Sequence, residues 1–299
     1  KKCFVMKIII TGSLGNVGRP LSQQLAAAGQ DITVISSSAS KKADIKKLGA
    51  NAAIGSMTDL DFLVETFEGA DAVFLMTPPK MGGINIVENT VSVAKNYAEA
   101  VKKTGVKKIV MLSSIGVESA VDNGPIKGLH LIEKLYNDLE NTEVTFLRAG
   151  YFYANFFNDI ALIKNAGIIG ANFPETTLLP VVHHFDIAKA AAEELVVSSP
   201  GKKVRYIVSD VRNGADFARI LGSAIGMPAL PWVQFQDEES LNGMLQGGLP
   251  QEVAELYTEM GLGIRKGVLQ QDFIEHGSVV SGVIKLEEFA KEFAVNFSF

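Results

Sequence analysis

The sequence predicts an α/β fold in which a doubly wound parallel sheet carries a smaller, mixed C-terminal lobe. In the first half of the 299 residues, short β-branched runs alternate with longer segments of helical periodicity, which is the pattern of successive βαβ units. After Arg148 this alternation loosens, and glycine and proline divide the chain into short pieces. We therefore expect a sheet domain over residues 1–150 and mainly a lobe over residues 151–299, with some later segments returning to the sheet.

The predicted elements of the first half alternate between strand and helix. The strands are Lys7–Ile10, Ile32–Ile35, Ala52–Ile54, Ala72–Met76, Lys108–Leu112 and Val144–Leu147. The helices between them are Val17–Ala28, Ala43–Leu48, Asp59–Phe67, Ile86–Lys103 and Leu129–Leu139. Later we expect helices at Ala154–Asn165, Asp186–Val197, Asp216–Ile225, Glu238–Leu245, Gln251–Met260 and Leu286–Asn296, and a strand at Arg205–Val208. This order indicates a Rossmann-type sheet, which binds ligands at the carboxyl edge of its strands.

The composition limits the classes of function. Hydrophobic residues make up 47% of the chain, and no apolar run approaches the ~18 residues that a membrane-spanning helix needs. The net charge is -5 and the lysines are scattered, so no positive field favours binding to nucleic acid. The single cysteine, Cys3, excludes an intrachain disulfide and a cysteine-based zinc cluster. We therefore expect a cytoplasmic protein with small-molecule ligands, no membrane segment and no metal site.

A glycine-rich turn joins the first predicted strand to the first predicted helix. Its glycines are spaced G-x-x-G-x-x-G, one residue longer in the turn than the G-x-G-x-x-G dinucleotide fingerprint. Gly12 permits the tight turn, Gly15 lets backbone N–H groups approach a pyrophosphate, and Gly18 lets the helix pack closely on the strand. The predicted pyrophosphate-binding residues are Gly12, Ser13, Leu14, Gly15, Asn16, Val17 and Gly18. The alternative is a purely structural strand-to-helix turn.

The end of the second predicted strand indicates which cofactor binds. An NAD enzyme places a carboxylate there, on the ribose 2′-hydroxyl, about 20 residues after the turn. Here the stretch is Ile35-Ser-Ser-Ser-Ala-Ser-Lys-Lys42, which has no carboxylate. Hydroxyl and ammonium groups can bind a 2′-phosphate through charge-assisted hydrogen bonds, and the candidates are Ser36, Ser37, Ser38 and Lys41. The sequence thus predicts NADP(H), the alternative being a polar loop with solvated lysines.

Five motifs together resemble the NmrA-like group of atypical short-chain dehydrogenases, which includes NADPH-dependent quinone reductase-like enzymes and NADP-binding regulators. The resemblance covers essentially the whole chain. Its motifs are the glycine-rich turn, Ala70–Pro79, Val110–Ser114, Leu147–Asn155 and Asp186–Ala188. The resemblance implies that Thr77 and Pro78 border the nicotinamide ribose and that Ser113 lies along the cofactor. It also implies that Gly150, Tyr151 and Phe152 flank the nicotinamide end.

The sequence departs from the wider superfamily at two places. Gly55-Ser56-Met57 stands where the family often has an aspartate that contacts adenine. The superfamily's Tyr-x-x-x-Lys pair is replaced by His130 and Lys134, which share one face of a helix because they are four residues apart.

The resemblance implies that Lys134 binds the nicotinamide ribose and that Ser114 contacts a substrate oxygen. His130 could donate a proton, since an unperturbed imidazole titrates near ~6.5. The alternatives are a histidine at the pocket rim and a serine that merely enters a helix.

Two further clusters are open to functional and structural interpretations. The aromatic residues Tyr151–Phe157 could form a wall for a flat acceptor or fill the core. His183 and His184 suggest a metal site, but adjacent side chains point apart and no further ligands complete the set, so a structural role is favoured.

The function expected is NADPH-dependent reduction of a small planar acceptor such as a quinone. The alternative is a non-catalytic NADP(H)-binding redox sensor that acts on a protein partner. A sugar-nucleotide epimerase is disfavoured because the tyrosine is missing.

Overall fold

The computed structural model describes residues 5–77 and 83–299, so the predicted cofactor contact Pro78 lies outside the described residues. Its strands are β1 Lys7–Ile10, β2 Asp31–Ser36, β3 Asn51–Ile54, β4 Ala72–Leu75, β5 Lys108–Ser114, β6 Glu143–Ala149, β7 Tyr151–Phe152, β8 Ile169–Ala171, β9 Leu179–Val182, β10 Lys202–Ile207, β11 Asp210–Arg212 and β12 Trp232–Gln234. Within the described ranges, seven of these strands form one parallel sheet, the main sheet, in the order β10-β6-β5-β4-β1-β2-β3. This confirms the predicted fold class.

The helices flank the main sheet or build the lobe. They are α1 Gly18–Ala27, α2 Lys42–Lys47, α3 Leu60–Phe67, α4 Ile86–Thr104, α5 Lys127–Asn137, α6 Ile160–Ala166, α7 His184–Val196, α8 Gly214–Ala224, α9 Asp237–Gln246, α10 Gln251–Arg265, α11 Val268–Glu275 and α12 Leu286–Phe297. Short 3-10 turns occupy Ala39–Lys41, Gly124–Ile126 and Tyr153–Asp159. No helix in the described ranges combines the length and apolarity needed to cross a membrane.

Apolar side chains cover both faces of the main sheet. On one face, Leu21 of α1 and Ile187 of α7 pack against strand residues such as Ile8. On the other face, Phe67 of α3 and Tyr97 of α4 belong to a second cluster. Strands that are buried on both faces require nearly continuous apolar runs, and β1 and β4 have them.

The strand order reverses between β2 and β4, with β1 in the centre. Ile9 of β1 is in register with Thr33 on one side and Val73 on the other. Helices that leave β1 and β4 on opposite faces open a crevice at the carboxyl ends, where doubly wound sheets bind ligands. Thr11 holds this edge together, since its hydroxyl donates to Phe74 O and accepts from Met76 N.

The lobe has its own aromatic core and two small sheets. Phe217 of α8 and Phe289 and Phe293 of α12 are buried together with Tyr153 and Phe156. Among the described residues, β7, β9 and β11 form one small sheet, and β8 and β12 form the other. These strands have two to four residues each, too few for the periodicity of the sequence to predict them.

Two lobe predictions differ from the structure. The expected helix Ala154–Asn165 is a 3-10 turn over Tyr153–Asp159 followed by α6, because Tyr153 and Phe156 turn into the aromatic core. Helix α11 follows Gly267, whose φ of +75° separates it from α10, and the sequence analysis does not predict it. The predicted strand Arg205–Val208 corresponds to β10, which adds to the main sheet beside β6.

A carboxylate of the lobe caps a helix of the sheet domain. Glu252, in the first turn of α10, accepts hydrogen bonds from the backbone N–H groups of Asn85 and Ile86, both at 2.6 Å. These groups begin α4, where N–H groups have no partner within the helix and a negative charge is favoured by the helix dipole. The lobe is therefore tied directly to α4.

Candidate active site

The glycine-rich turn has the geometry that each glycine predicts. Gly12 has a φ of +88°, and a Cβ on it would lie 2.1 Å from Met76 Sδ. A Cβ on Gly18 would lie 2.1 Å from the backbone oxygen of Ser13, so only glycine lets α1 start so close to the turn. Gly15 is exposed, and a Cβ there would meet only Gly12 O, at 3.4 Å. The space above Gly15 is thus open to a phosphate, as a pyrophosphate-binding turn requires.

Of the other turn residues, some pack against the protein core and others are exposed to solvent. Val17 is buried, and Leu14 packs against the core beneath α1. Asn16 is exposed at the start of α1. Ser13 has a φ of 55°, and its hydroxyl donates to Ser36 Oγ at 3.0 Å. The turn is therefore fastened to the end of β2.

The end of β2 places polar groups beside the glycine-rich turn. Ser36 is buried, and its Oγ also accepts from Ser38 N. Ser37, Ser38 and Lys41 are exposed. The first carboxylate after this stretch is Asp44, inside α2. Ser36 therefore positions the segment, while the exposed hydroxyl and ammonium groups are the ones available to a phosphate.

A cavity of about 590 Å³ lies between the carboxyl edge of the main sheet and the lobe. Its size is within the range of small-molecule sites. Predicted residues that line it are Asn16, Thr77, Ser113, Ser114, Gly150, Tyr151 and Phe152. The glycine-rich turn reaches the cavity through Asn16, so the two predicted halves of the site are continuous. The cavity is the part of the site where the nicotinamide end and an acceptor would meet.

Thr77 tests whether the cavity fits a cofactor. Its Oγ1 is buried and, among the described residues, has no hydrogen-bond partner. A buried hydroxyl without a partner costs free energy, so a ligand that pairs with it is favoured. Together with the open space at Gly15, this orphaned hydroxyl fits an extended dinucleotide that runs from the turn to the end of β4.

Ser113 connects the cavity to a buried ion pair. Its hydroxyl donates to Glu133 Oε1 at 2.6 Å, and Glu133 accepts two hydrogen bonds from Arg148, at 2.8 and 3.2 Å. Burial alone would lower the pKa of Arg148, but Glu133, with Glu118 and Asp272, raises it above its ordinary value. Because the proton of Ser113 is directed at Glu133, the oxygen of Ser113 can act as an acceptor toward a ligand.

Arg148 also joins the sheet domain to the lobe. Its Nη1 lies 2.7 Å from the carboxylate of Asp272 in α11, and it donates to the hydroxyl of Tyr206 on β10. Side-chain exposure is 12% for Arg148 and 18% for Asp272. A planar guanidinium with several donors suits this position because it can bind more than one carboxylate at once. Neither Glu133 nor Asp272 is marked in the sequence by a motif.

The lobe supplies one side of the cavity. Its residues not predicted from the sequence include Leu179, Pro180, Tyr257, Met260, Leu269 and Gln270. Burial raises the pKa of Tyr151 and of Tyr257 above the ordinary value, so both phenols stay neutral near neutral pH. The aromatic cluster is divided between two places: Tyr151 and Phe152 line the cavity, and Tyr153 and Phe156 lie in the lobe core.

His130 and Lys134 lie outside the residues that line the cavity in the described structure. His130 is half-buried, with Nδ1 2.6 Å from Val117 O, and Lys134 is exposed on α5. Leu129 and Glu133, on the neighbouring stripe of the same helix, face the cavity and the ion pair. The Ser114 hydroxyl donates to Ile115 O. The roles predicted for His130, Lys134 and Ser114 remain predictions.

The histidine pair has a structural position. His183 Nδ1 accepts from Phe185 N and caps α7, and its Nε2 lies 3.2 Å from Glu292. In residues 5–77 and 83–299, no group of three or more His, Cys, Asp or Glu residues is arranged to hold a metal ion.

Comparison with known protein families decides what the sheet domain binds. A family model described as NAD(P)H-binding matches residues 12–149. Residues 12–149 are an NAD(P)H-binding domain. This finding confirms the predicted cofactor type, and the domain contains both the glycine-rich turn and the Ser113–Glu133–Arg148 network.

Relatives of the whole chain have the same organisation. The NAD(P)H azoreductase of Xenophilus azovorans is 26% identical over 258 residues, covering 85% of each chain. The triphenylmethane reductase of Citrobacter sp. complexed with NADP(H) superposes with a TM-score of 0.81 at 21% identity, over 96% of this chain and 99% of that one. The NADPH-dependent quinone oxidoreductase QOR2 of Escherichia coli superposes with a TM-score of 0.80 at 20% identity, over 95% and 99%. At 21% and 20% identity, these two superpositions show that the chain shares the fold of both reductases.

Proposed function

We propose that this protein is an NADPH-dependent oxidoreductase that reduces a small planar acceptor such as a quinone. The observation that carries the proposal is the cavity of about 590 Å³, which is continuous with the glycine-rich turn and closed by apolar residues of the lobe. The names of the similar proteins support it, since they include an azoreductase, a dye reductase and a quinone oxidoreductase. The aromatic side chains Tyr151 and Phe152 line the cavity, where a planar acceptor would stack on them.

The residues of this chain bind and orient the reactants. When bound, the nicotinamide supplies a hydride. Thr77 and Ser113 offer a hydroxyl hydrogen and a hydroxyl oxygen at the ends of β4 and β5. Gly150 keeps the strand end close to β9, because a Cβ on it would lie 2.7 Å from Pro180 O. Tyr151, Phe152 and the lobe exclude water, which strengthens each polar contact inside.

A proton must accompany the hydride to the acceptor. His130 is proposed as its donor, with Lys134 as the ribose ligand and Ser114 as a substrate contact. The support for His130 is that its Nδ1 donates to Val117 O, which orients the ring, so that Nε2 is the nitrogen that would carry the transferred proton in the imidazolium form. Because His130 does not line the cavity in the described residues, His130→Ala is the decisive variant. Unchanged turnover of the best acceptor would exclude this role.

NADPH preference is proposed to depend on the end of β2. We expect Lys41→Ala to weaken NADPH binding by about 5- to 20-fold, as loss of one charge-assisted contact to phosphate predicts, and to leave NADH binding unchanged. Lys47→Ala, at the other end of α2, is the matched control. Titration calorimetry with both cofactors measures the effect, and equal losses for NADPH and NADH would contradict it.

The function itself is tested by following NADPH absorbance with a panel of quinones, azo compounds and enones. We expect oxidation of NADPH by at least one planar acceptor. Tight binding of NADPH without oxidation by any of them would instead support a redox sensor that acts on a protein partner. The same panel with NADH in place of NADPH shows whether the cofactor preference extends to turnover.

A further inference from the structure

Gln270 is a buried amide in the wall of the cavity. It lies on α11 in the lobe, is 5% exposed and lines the cavity near Leu269 and Ile264. Its Nε2 donates to the backbone oxygens of Leu178 and Ile264, at 3.1 and 3.2 Å. Because both partners are carbonyl oxygens, the amide atom beside them must be the NH₂ group. The other amide atom is therefore the oxygen, Oε1, which is an acceptor.

The oxygen of this amide is left without a partner. Oε1 is buried and accepts no hydrogen bond from any group in the described structure. A buried acceptor without a partner costs free energy, so each such group in a folded protein calls for an explanation. The wall around it is largely apolar, with Met260, Leu269 and Ile264 among its members. Because Gln270 lines the cavity, a ligand there that displaces the packing over Oε1 would supply the missing donor.

We propose that Gln270 determines substrate specificity by accepting a hydrogen bond from an N–H or O–H group of the acceptor. This inference rests on the proposed function and names its substrate class: planar acceptors that carry a neutral hydrogen-bond donor. Gln270 belongs to the substrate rather than to the cofactor because its anchors, Leu178 and Ile264, are both lobe residues. The predicted cofactor contacts Thr77 and Ser113 lie at the ends of β4 and β5 instead.

The preference arises from the ligand that carries the donor. Such a ligand removes the cost that the buried oxygen already carries in the unliganded protein, whereas an analogue without the donor leaves that cost in place. A neutral amide oxygen also favours a neutral donor, whereas a carboxylate would favour a cation. The pocket thus discriminates by a single polar contact within a mostly apolar surface.

Two isosteric quinones test the proposal. 2-(Hydroxymethyl)-1,4-naphthoquinone has an O–H group where 2-ethyl-1,4-naphthoquinone has a methyl group, so apolar contact alone would favour the ethyl compound. Calorimetry on the protein loaded with NADP⁺ measures binding without turnover. We expect the wild-type protein to bind the alcohol about 10-fold more tightly, the ratio that one satisfied buried acceptor supplies.

Two variants locate the effect. Gln270→Met keeps the length of the side chain and removes the acceptor, and we expect the ratio to fall to one or below. Gln271→Met is the matched control, because Gln271 is the exposed neighbour that bonds Glu275, and it should keep the wild-type ratio. If Gln270→Met does not fold, the wild-type ratio alone still decides.

Several results would overturn the inference. These are equal binding of the two quinones, failure of the alcohol to bind, or a preference that persists in Gln270→Met. A loss of NADP⁺ affinity in Gln270→Met would assign the residue to the cofactor instead. Failure of the proposed function is recognised separately: the alcohol binds preferentially, yet no acceptor oxidises NADPH.

Discussion

The cofactor end and the substrate end of this site are built in opposite ways. The glycine-rich turn is one contiguous segment, and its geometry follows from three glycines and the strand and helix around them. The substrate end collects side chains from β5, β7, β9, α10 and α11, which lie far apart in the sequence. The first depends on local backbone conformation. The second depends on the tertiary contacts that hold the lobe on the sheet.

We expect the largest effect on the free energy of unfolding from replacing Arg148, whose contacts hold the lobe on the sheet domain. Arg148→Met leaves the buried carboxylate of Glu133 without its partner and breaks the contact with Asp272. We expect a loss of about 3–5 kcal/mol in the free energy of unfolding, the cost of breaking a buried ion pair. Denaturant unfolding measures it. Arg205→Met is the control, because Arg205 is more exposed and Glu194 keeps Lys203, so a loss of about 1 kcal/mol or less is expected. Similar losses in both variants would contradict this account.

Two of the three glycines of the turn allow effects on folding and on cofactor binding to be separated. Gly18→Ala forces a Cβ against Ser13 O, and we expect it to cost about 1–3 kcal/mol of stability as well as cofactor affinity. Gly15→Ala meets only ordinary contact within the protein, so its stability should change by about 0.5 kcal/mol or less. It should nonetheless weaken NADPH binding about 10-fold or more, because the methyl group occupies the space for phosphate. Thermal unfolding and NADPH titration test both variants, and normal cofactor affinity in Gly15→Ala would show that the turn is purely structural.

Asp159 gives an effect that depends on pH, and it concerns the lobe. Burial raises the pKa of this carboxyl from 3.8 to about 7. The folded state therefore binds a proton more tightly than the unfolded state, so Asp159 lowers the free energy of unfolding as the pH rises from about 4 to about 7. Asp159→Asn should be more stable than the wild type at pH 8 and should flatten the dependence on pH. Denaturant unfolding between pH 4.5 and 8 checks this, and parallel curves for the two proteins would contradict it.

The sequence predicts most of the cofactor half. The positions of β1, the glycine-rich turn and α1 follow from a short apolar run, three glycines and helical periodicity, all within about one βα unit. The polar end of β2 follows in the same way, although the buried role of Ser36 does not. Its contact with Ser13 becomes visible only when β1 and β2 are paired.

The substrate half is not predictable by the same reasoning. Sequence reasoning selects His130 and Lys134 and not Glu133, because the superfamily pattern marks those two positions and helical spacing cannot say which stripe of α5 faces inward. The structure turns Leu129 and Glu133 toward the cavity and the ion pair. Gln270 lies on a helix that periodicity does not predict, and its importance comes from one unpaired oxygen.

The cap that Glu252 places on α4 bears on how such proteins can be re-engineered. An exchange of lobes between relatives, made to obtain a new acceptor, would remove the carboxylate that holds the N–H groups of Asn85 and Ile86. The recipient would then keep a 19-residue helix with an uncapped start beside its binding cavity. A grafted lobe that has an acid at the position of Glu252 keeps the start of that helix capped. Any segment exchanged between relatives to change the substrate must therefore include this carboxylate.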